Sequence, residues 1–144
     1  MTSGTVLSIT SAPDYGAELV PHESVELVAG VGIPVDRHAG QRRSVTIVCS
    51  GELAKAAAEH GVESIDGVRT RRNIVVDLPE LPRQHGARLT LGDAELEVWR
   101  DCAPCELMDQ FFGDGARLAL KNRAGISATV IRSGTVSVGD TVSV

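Results

Sequence analysis

What most constrains this chain is a recurrence of short β-branched runs punctuated by turn residues. Thr5–Thr10, Ser24–Val28, Ser44–Val48 and Asn73–Asp77 are each five or six residues long and rich in Val, Ile and Thr, the side chains that fit a pleated surface. Ala87–Leu91 and Ala94–Trp99 flank Gly92-Asp93 and alternate apolar with polar residues, which predicts a hairpin with one wet face. The C-terminal stretch continues the pattern, with Ser127–Arg132, a turn at Ser133-Gly134, Thr135–Val138, Gly139-Asp140 and Thr141–Val144. So many short strands need their edges protected, and closing the sheet on itself does that. The expectation is a mainly β fold: a small closed or nearly closed β-barrel with two or three short helices.

Two helices interrupt the strands. The first is expected over Gly51–His60, with Ser50 as its cap, Glu52 favouring the positive end of the dipole and Gly61 supplying a left-handed stop. Leu53, Ala56, Ala57 and His60 fall on one face, which would lie against the sheet. The second is expected from Pro104, a favoured first helical position, through Phe111 to Gly113. With 144 residues the chain is read as one domain, 1–144. Only 3% of the residues are aromatic, so the core must be built from Val, Ile and Leu.

Charge and length exclude several functions. The net charge of −5 argues against sequence-independent binding of nucleic acid. No apolar run approaches the roughly 18 residues of a membrane span, and no lysine or arginine precedes Arg37, so a secretory signal is not expected. Three cysteines, an odd number, fit a reducing, cytoplasmic setting.

The segment Asp101-Cys102-Ala103-Pro104-Cys105-Glu106 joins a strand to the second expected helix. A thiol inside a helix's first turn is favoured as thiolate, the form that attacks sulfur, carries a persulfide or binds a soft metal. On this reading Cys105 is the reactive residue and Cys102 a resolving thiol. The alternative is a small buried thiol packing under the helix. A thioredoxin-like disulfide is disfavoured, because no proline follows the motif and strands do not alternate with helices. A structural zinc site is disfavoured as well, because Cys49 and the four histidines are scattered.

Twelve of the fourteen basic residues are arginine, whose planar fork suits phosphate and carboxylate. They concentrate in Asp36-Arg37-His38 with Arg42-Arg43, and in Arg69-Thr70-Arg71-Arg72-Asn73. Arg37, His38, Arg71, Arg72 and Asn73 are expected to shape a pocket for an anionic ligand, whereas Arg42 and Arg43 are read as a solvated face. Gly30-Val31-Gly32 and Gly139-Asp140 match no phosphate-loop fingerprint and are read as turns. No G-x-S-x-G elbow is present, so a hydrolase triad has no support.

Taken in order, these pieces resemble a MOSC domain, the module at the C-terminus of molybdenum cofactor sulfurases. The resemblance is carried by Gly4-Thr5-Val6, Asp36-Arg37-His38-Ala39-Gly40, Ser44-Val45-Thr46-Ile47, Arg71-Arg72-Asn73-Ile74-Val75-Val76, Cys102-Ala103-Pro104-Cys105 and Gly139-Asp140. It departs at Val35, where relatives usually have a glycine before Asp-Arg-His. The resemblance implies a barrel-like fold, and a principal cysteine at the Pro-Cys position, Cys105, as carrier of sulfur or ligand of molybdenum. It also implies a molybdenum cofactor of the molybdopterin type, held among Arg37, His38, Arg71, Arg72 and Asn73. Some relatives reduce N-hydroxylated compounds. Others receive sulfur from a cysteine-desulfurase-like partner, and pyridoxal phosphate is assigned to that partner because neither Lys55 nor Lys121 lies in a convincing pocket motif. An electron donor or a sulfur donor would have to be a separate protein.

Overall fold

The computed structural model describes residues 2–144. Among the described residues, ten strands and three short helices follow one another. The strands are β1 (Ser3–Ser11), β2 (Val20–Pro21), β3 (Ser24–Leu27), β4 (Val45–Cys49), β5 (Ile74–Asp77), β6 (Arg88–Leu91), β7 (Ala94–Asp101), β8 (Ile126–Arg132), β9 (Gly134–Ser137) and β10 (Thr141–Ser143). The helices are α1 (Ser50–His60), α2 (Leu107–Phe112) and α3 (Ala116–Ala119), with a single 3-10 turn at Val68–Thr70.

Seven strands close into a barrel in the order β1-β10-β6-β7-β8-β4-β5 and back to β1. The closing contact pairs Ser3 with Ser143 and Thr5 with Thr141. All neighbours are antiparallel except β4 and β5, which run parallel and are therefore joined by a crossover containing α1. The expected hairpin is present: Leu91 faces Ala94 across Gly92-Asp93. β9 leaves the barrel and pairs with β3 as a separate two-stranded ribbon, a partnership that nothing in either segment's pattern specifies.

Strand alternation divides the apolar residues into two cores. Ile47, Cys49, Ile74, Val76, Leu96, Val98, Ile126 and Ala128 fill the barrel. The residues between them on β4 and β5, Val48 and Val75, point outward and are covered by Leu53, Ala56 and Ala57 of α1 together with Met108 and Leu120. Both faces of β4 and β5 are dry over this stretch, which is why their sequences are nearly continuous apolar runs. Gly61 ends α1 in the left-handed conformation as expected. The helix starts one residue early, however: Cys49 is the cap position and makes no side-chain capping bond. Ser50 Oγ instead donates to Asp77 at 2.6 Å.

Candidate functional site

The outer face of β4 changes character two residues before Val48. The pairing register sets Thr46 beside Ser127 of β8, and Ser127 beside Arg100 of β7. Arg100 reaches this row because a bulge interrupts the β7–β8 ladder between Val98 and Arg100, and bulges re-aim the side chains that follow them. Over this row lies a cavity of about 510 Å3, walled by Arg37, His38, Arg43, Arg72 and the segment Asp101-Cys102-Ala103.

Each wall is fixed by an identifiable contact. Asp36 is 6% exposed; its Oδ1 accepts from Ala12 N–H at 2.9 Å and its Oδ2 from His38 N–H at 3.2 Å. Oδ2 also lies 3.3 Å from His38 Nδ1. Burial pushes the Asp36 carboxyl up, but the bonds from His38 and Ala12 outweigh it and hold its pKa below the ordinary value. Asp36 thereby clamps the loop that presents Arg37 and His38. Arg37 also stacks over the ring of Tyr15 at 5.0 Å. The segment before β4 is tied to β8 by Thr129 Oγ1 donating to the Arg42 carbonyl, which brings Arg43 to the rim.

Arg72 anchors the wall that carries the thiol. Its Nε donates to the Ala124 carbonyl at 2.7 Å and its Nη2 to the Ala103 carbonyl at 3.2 Å. Cys102 N–H donates to the Gly125 carbonyl at 2.9 Å. Gly125 has φ +97, and a Cβ there would lie 2.2 Å from the Ile47 carbonyl oxygen, so only glycine lets the segment before β8 pass this close to β4. Burial raises the Cys102 pKa; Arg72, and then Arg43 and Arg100, pull the other way, while Asp101 adds to the rise. Burial outweighs the arginines, so the thiol's pKa is held above its ordinary value although the cavity is lined mainly by cations.

The residues singled out from the sequence divide into three groups. Arg37, His38 and Arg72 line the cavity together. Asn73 is buried and serves as a staple: its Oδ1 accepts from Thr46 N–H and Oγ1 at 3.0 Å each, and its Nδ2 donates to the Thr10 carbonyl at 3.2 Å. Arg71, with φ 64, is directed away and donates from Nη2 to the Ala17 carbonyl at 2.6 Å. Cys105 does not line the cavity; it packs against the cluster under α1. The helix expected from Pro104 begins only at Leu107, so Cys105 precedes it and the first-turn argument for its thiolate does not hold. Its carbonyl instead accepts from Met108 N–H at 3.0 Å.

Sequence reasoning misses Arg43, whose run has the pattern of a solvated face, and Arg100 with Asp101. The signal for the latter pair was their position at the end of a strand, directly before Cys102. Arg43 and Arg100 form no ion pair among the described residues. A second cavity, about 400 Å3, lies on the far side of Ala103 and is lined by Pro104, Asp109, Arg117, Leu118 and Lys121.

A closed seven-strand barrel bearing a thiol within an arginine-lined cavity on its outer face agrees with the family comparison. The family model described as MOSC domain matches residues 34–143, and the chain belongs to the MOSC domain family. Among solved structures, the YuaD protein from Bacillus subtilis is similar with a TM-score of 0.82 and 22% identity, over 98% of this chain and 94% of that one. YiiM from Geobacillus stearothermophilus gives 0.69 and 16%, over 95% and 72%. YiiM from Escherichia coli gives 0.65 and 19%, over 99% and 69%. At these identities the likeness is one of fold. No curated protein matches the sequence.

Proposed function

We propose that this protein binds a molybdenum cofactor of the molybdopterin type at the cavity beside β4, β7 and β8. One observation carries the reading: a single thiol, Cys102, shares the cavity with four arginines and a histidine. That donor set fits a group which brings its own metal and an anionic tail. It offers one soft ligand and several planar cations, while no cluster of three or more His, Cys, Asp or Glu suited to a metal occurs among the described residues. When bound, the cofactor would supply two-electron oxygen-transfer chemistry, such as reduction of an N-hydroxylated substrate. The chain's own part is binding and positioning. Arg37, Arg43, Arg72 and Arg100 meet the anion, Asp36 and Asn73 hold the walls, and Arg72 holds the thiol segment. Cys102 must lose its proton to act as a ligand; burial opposes that loss, and Arg72, Arg43 and Arg100 partly offset it.

The family resemblance implies Cys105 as the ligand, whereas the cavity lining supports Cys102. Molybdenum content of protein purified from a host that makes the cofactor decides between them. Stoichiometric molybdenum in the wild type, lost in Cys102→Ala and kept in Cys105→Ala, is the expected result. The reverse pattern assigns the ligand to Cys105, and a wild type without molybdenum overturns the reading. In that case a gain of one sulfur atom on either thiol, after incubation with a cysteine desulfurase, would favour the sulfur-carrier alternative.

A further inference from the structure

Among the described residues, Asp101 is the one carboxylate that lines the arginine cavity. A fixed negative charge is out of place there, because it repels an incoming anion and competes for the arginines that would bind it. Asp101 shares the cavity lining with Arg37, Arg43, Arg72 and Arg100. Its charge is nevertheless directed elsewhere. Asp101 Oδ1 accepts from Arg83 Nε at 2.7 Å. The far side of the same guanidinium grips Glu52, with Nη2 donating to Oε1 at 3.0 Å and Nη1 to Oε2.

Glu52 is a firm anchor. It is 6% exposed, sits in the first turn of α1 and also accepts from Cys49 Sγ at 3.3 Å. Arg83 is therefore fixed from behind by a buried carboxylate and presents its remaining edge to Asp101. A guanidinium can hold one carboxylate by two parallel bonds and a second through Nε, a fixed geometry that an ammonium does not supply.

We infer that Arg83 is a positioning residue: by holding Asp101 against the Glu52 anchor, it keeps the cavity's arginines free and sets the cavity's preference for anions. The inference rests on reading the cavity as an anion cradle. Without Arg83, Asp101 pairs with a cavity arginine and takes up part of the site from within.

The test is a double-mutant cycle read by calorimetric titration with inorganic phosphate. Arg83→Gln is expected to weaken phosphate binding about tenfold, because the released carboxylate competes with the ligand. Asp101→Asn is expected to tighten it a few-fold. In the Asp101→Asn background the effect of Arg83→Gln should shrink to under about twofold, the sign of direct coupling between the two sites. A loss that persists in that background would show that Arg83 acts only by supporting the fold, and would overturn the inference. An unchanged affinity in Arg83→Gln overturns it too. Should Arg83→Gln fail to fold, Glu52→Gln with Arg83→Gln removes the orphaned buried charge and carries the same cycle. Wild-type binding that is absent, or insensitive to Arg72→Ala, defeats the cavity reading and the inference with it, a pattern distinct from the other two failures.

Discussion

Arg83 and the arginines across Asp101 from it are the same residue type in neighbouring places, yet they stand in opposite electrostatic conditions. Arg83 is saturated by Glu52 and Asp101. Arg37, Arg43, Arg72 and Arg100 have no carboxylate partner among the described residues, and use only carbonyl groups and a tyrosine ring where they bond at all. A charge that the protein neutralises itself belongs to the framework. A charge it leaves uncompensated, in a chain of net charge −5, remains available for a ligand. Partner accounting thus separates structural from binding arginines where residue type does not.

The largest expected effect breaks the saturated side. Arg83→Ala leaves Glu52 buried and unpaired and should cost about 3 kcal/mol of unfolding free energy, measured by urea titration. A loss as small as that of an exposed substitution would erase the contrast.

A smaller effect concerns the clamp that presents Arg37 and His38. The Asp36 carboxyl is held below its ordinary pKa, so its contribution to stability is fully present above the ordinary range near about 4 and is lost as pH falls through the lowered value. Asp36→Asn should cost about 1 kcal/mol at neutral pH and flatten that acid limb. Thermal melts of both proteins across the acid range would show it, and parallel curves would contradict it.

The smallest effect sharpens the uncompensated side. Arg43→Ala and Arg100→Ala should each change stability by less than about 0.5 kcal/mol, while each lowers phosphate affinity, read from denaturation midpoints and calorimetry on the same samples. A substantial stability loss would move either residue into the framework.

The barrel strands were legible because their apolar alternation is local, and β4 and β5 stood out because both of their faces are dry. The β3–β9 ribbon was legible as two strands but not as a pair, since nothing in either segment specifies the other. At the site, Arg37, His38 and Arg72 could be read from arginine-rich stretches beside glycines and strand starts. Arg43 looked like solvent-facing charge, because the contacts that fix its segment, Thr129 to the Arg42 carbonyl and Arg42 over the Trp99 ring, come from residues far off in sequence. Pro104 misled about the helix start: it suits a first turn, but here it lies in the irregular segment before α2 that Arg72 holds through Ala103. Arg83 gave no signal, because its two carboxylate partners lie on elements far from it in sequence.

Barrel closure has a consequence for how the chain reaches this structure. β10 pairs with β1 at Ser3–Ser143, and Val144 N–H donates to the Thr2 carbonyl at 2.9 Å, so the seam joins residues nearly a full chain length apart. Loop-closure entropy grows only slowly with such a span, so the equilibrium cost is modest, but contacts this distant in sequence slow folding. On a ribosome the seam cannot form until Thr141–Ser143 has emerged, and until then β6 and the Ser3–Thr5 end of β1 each present an unpaired edge to other chains. The interval before closure is therefore when the nascent barrel is most exposed to edge-to-edge aggregation, whereas β4, β7 and β8, which carry the cavity, can already be paired with one another.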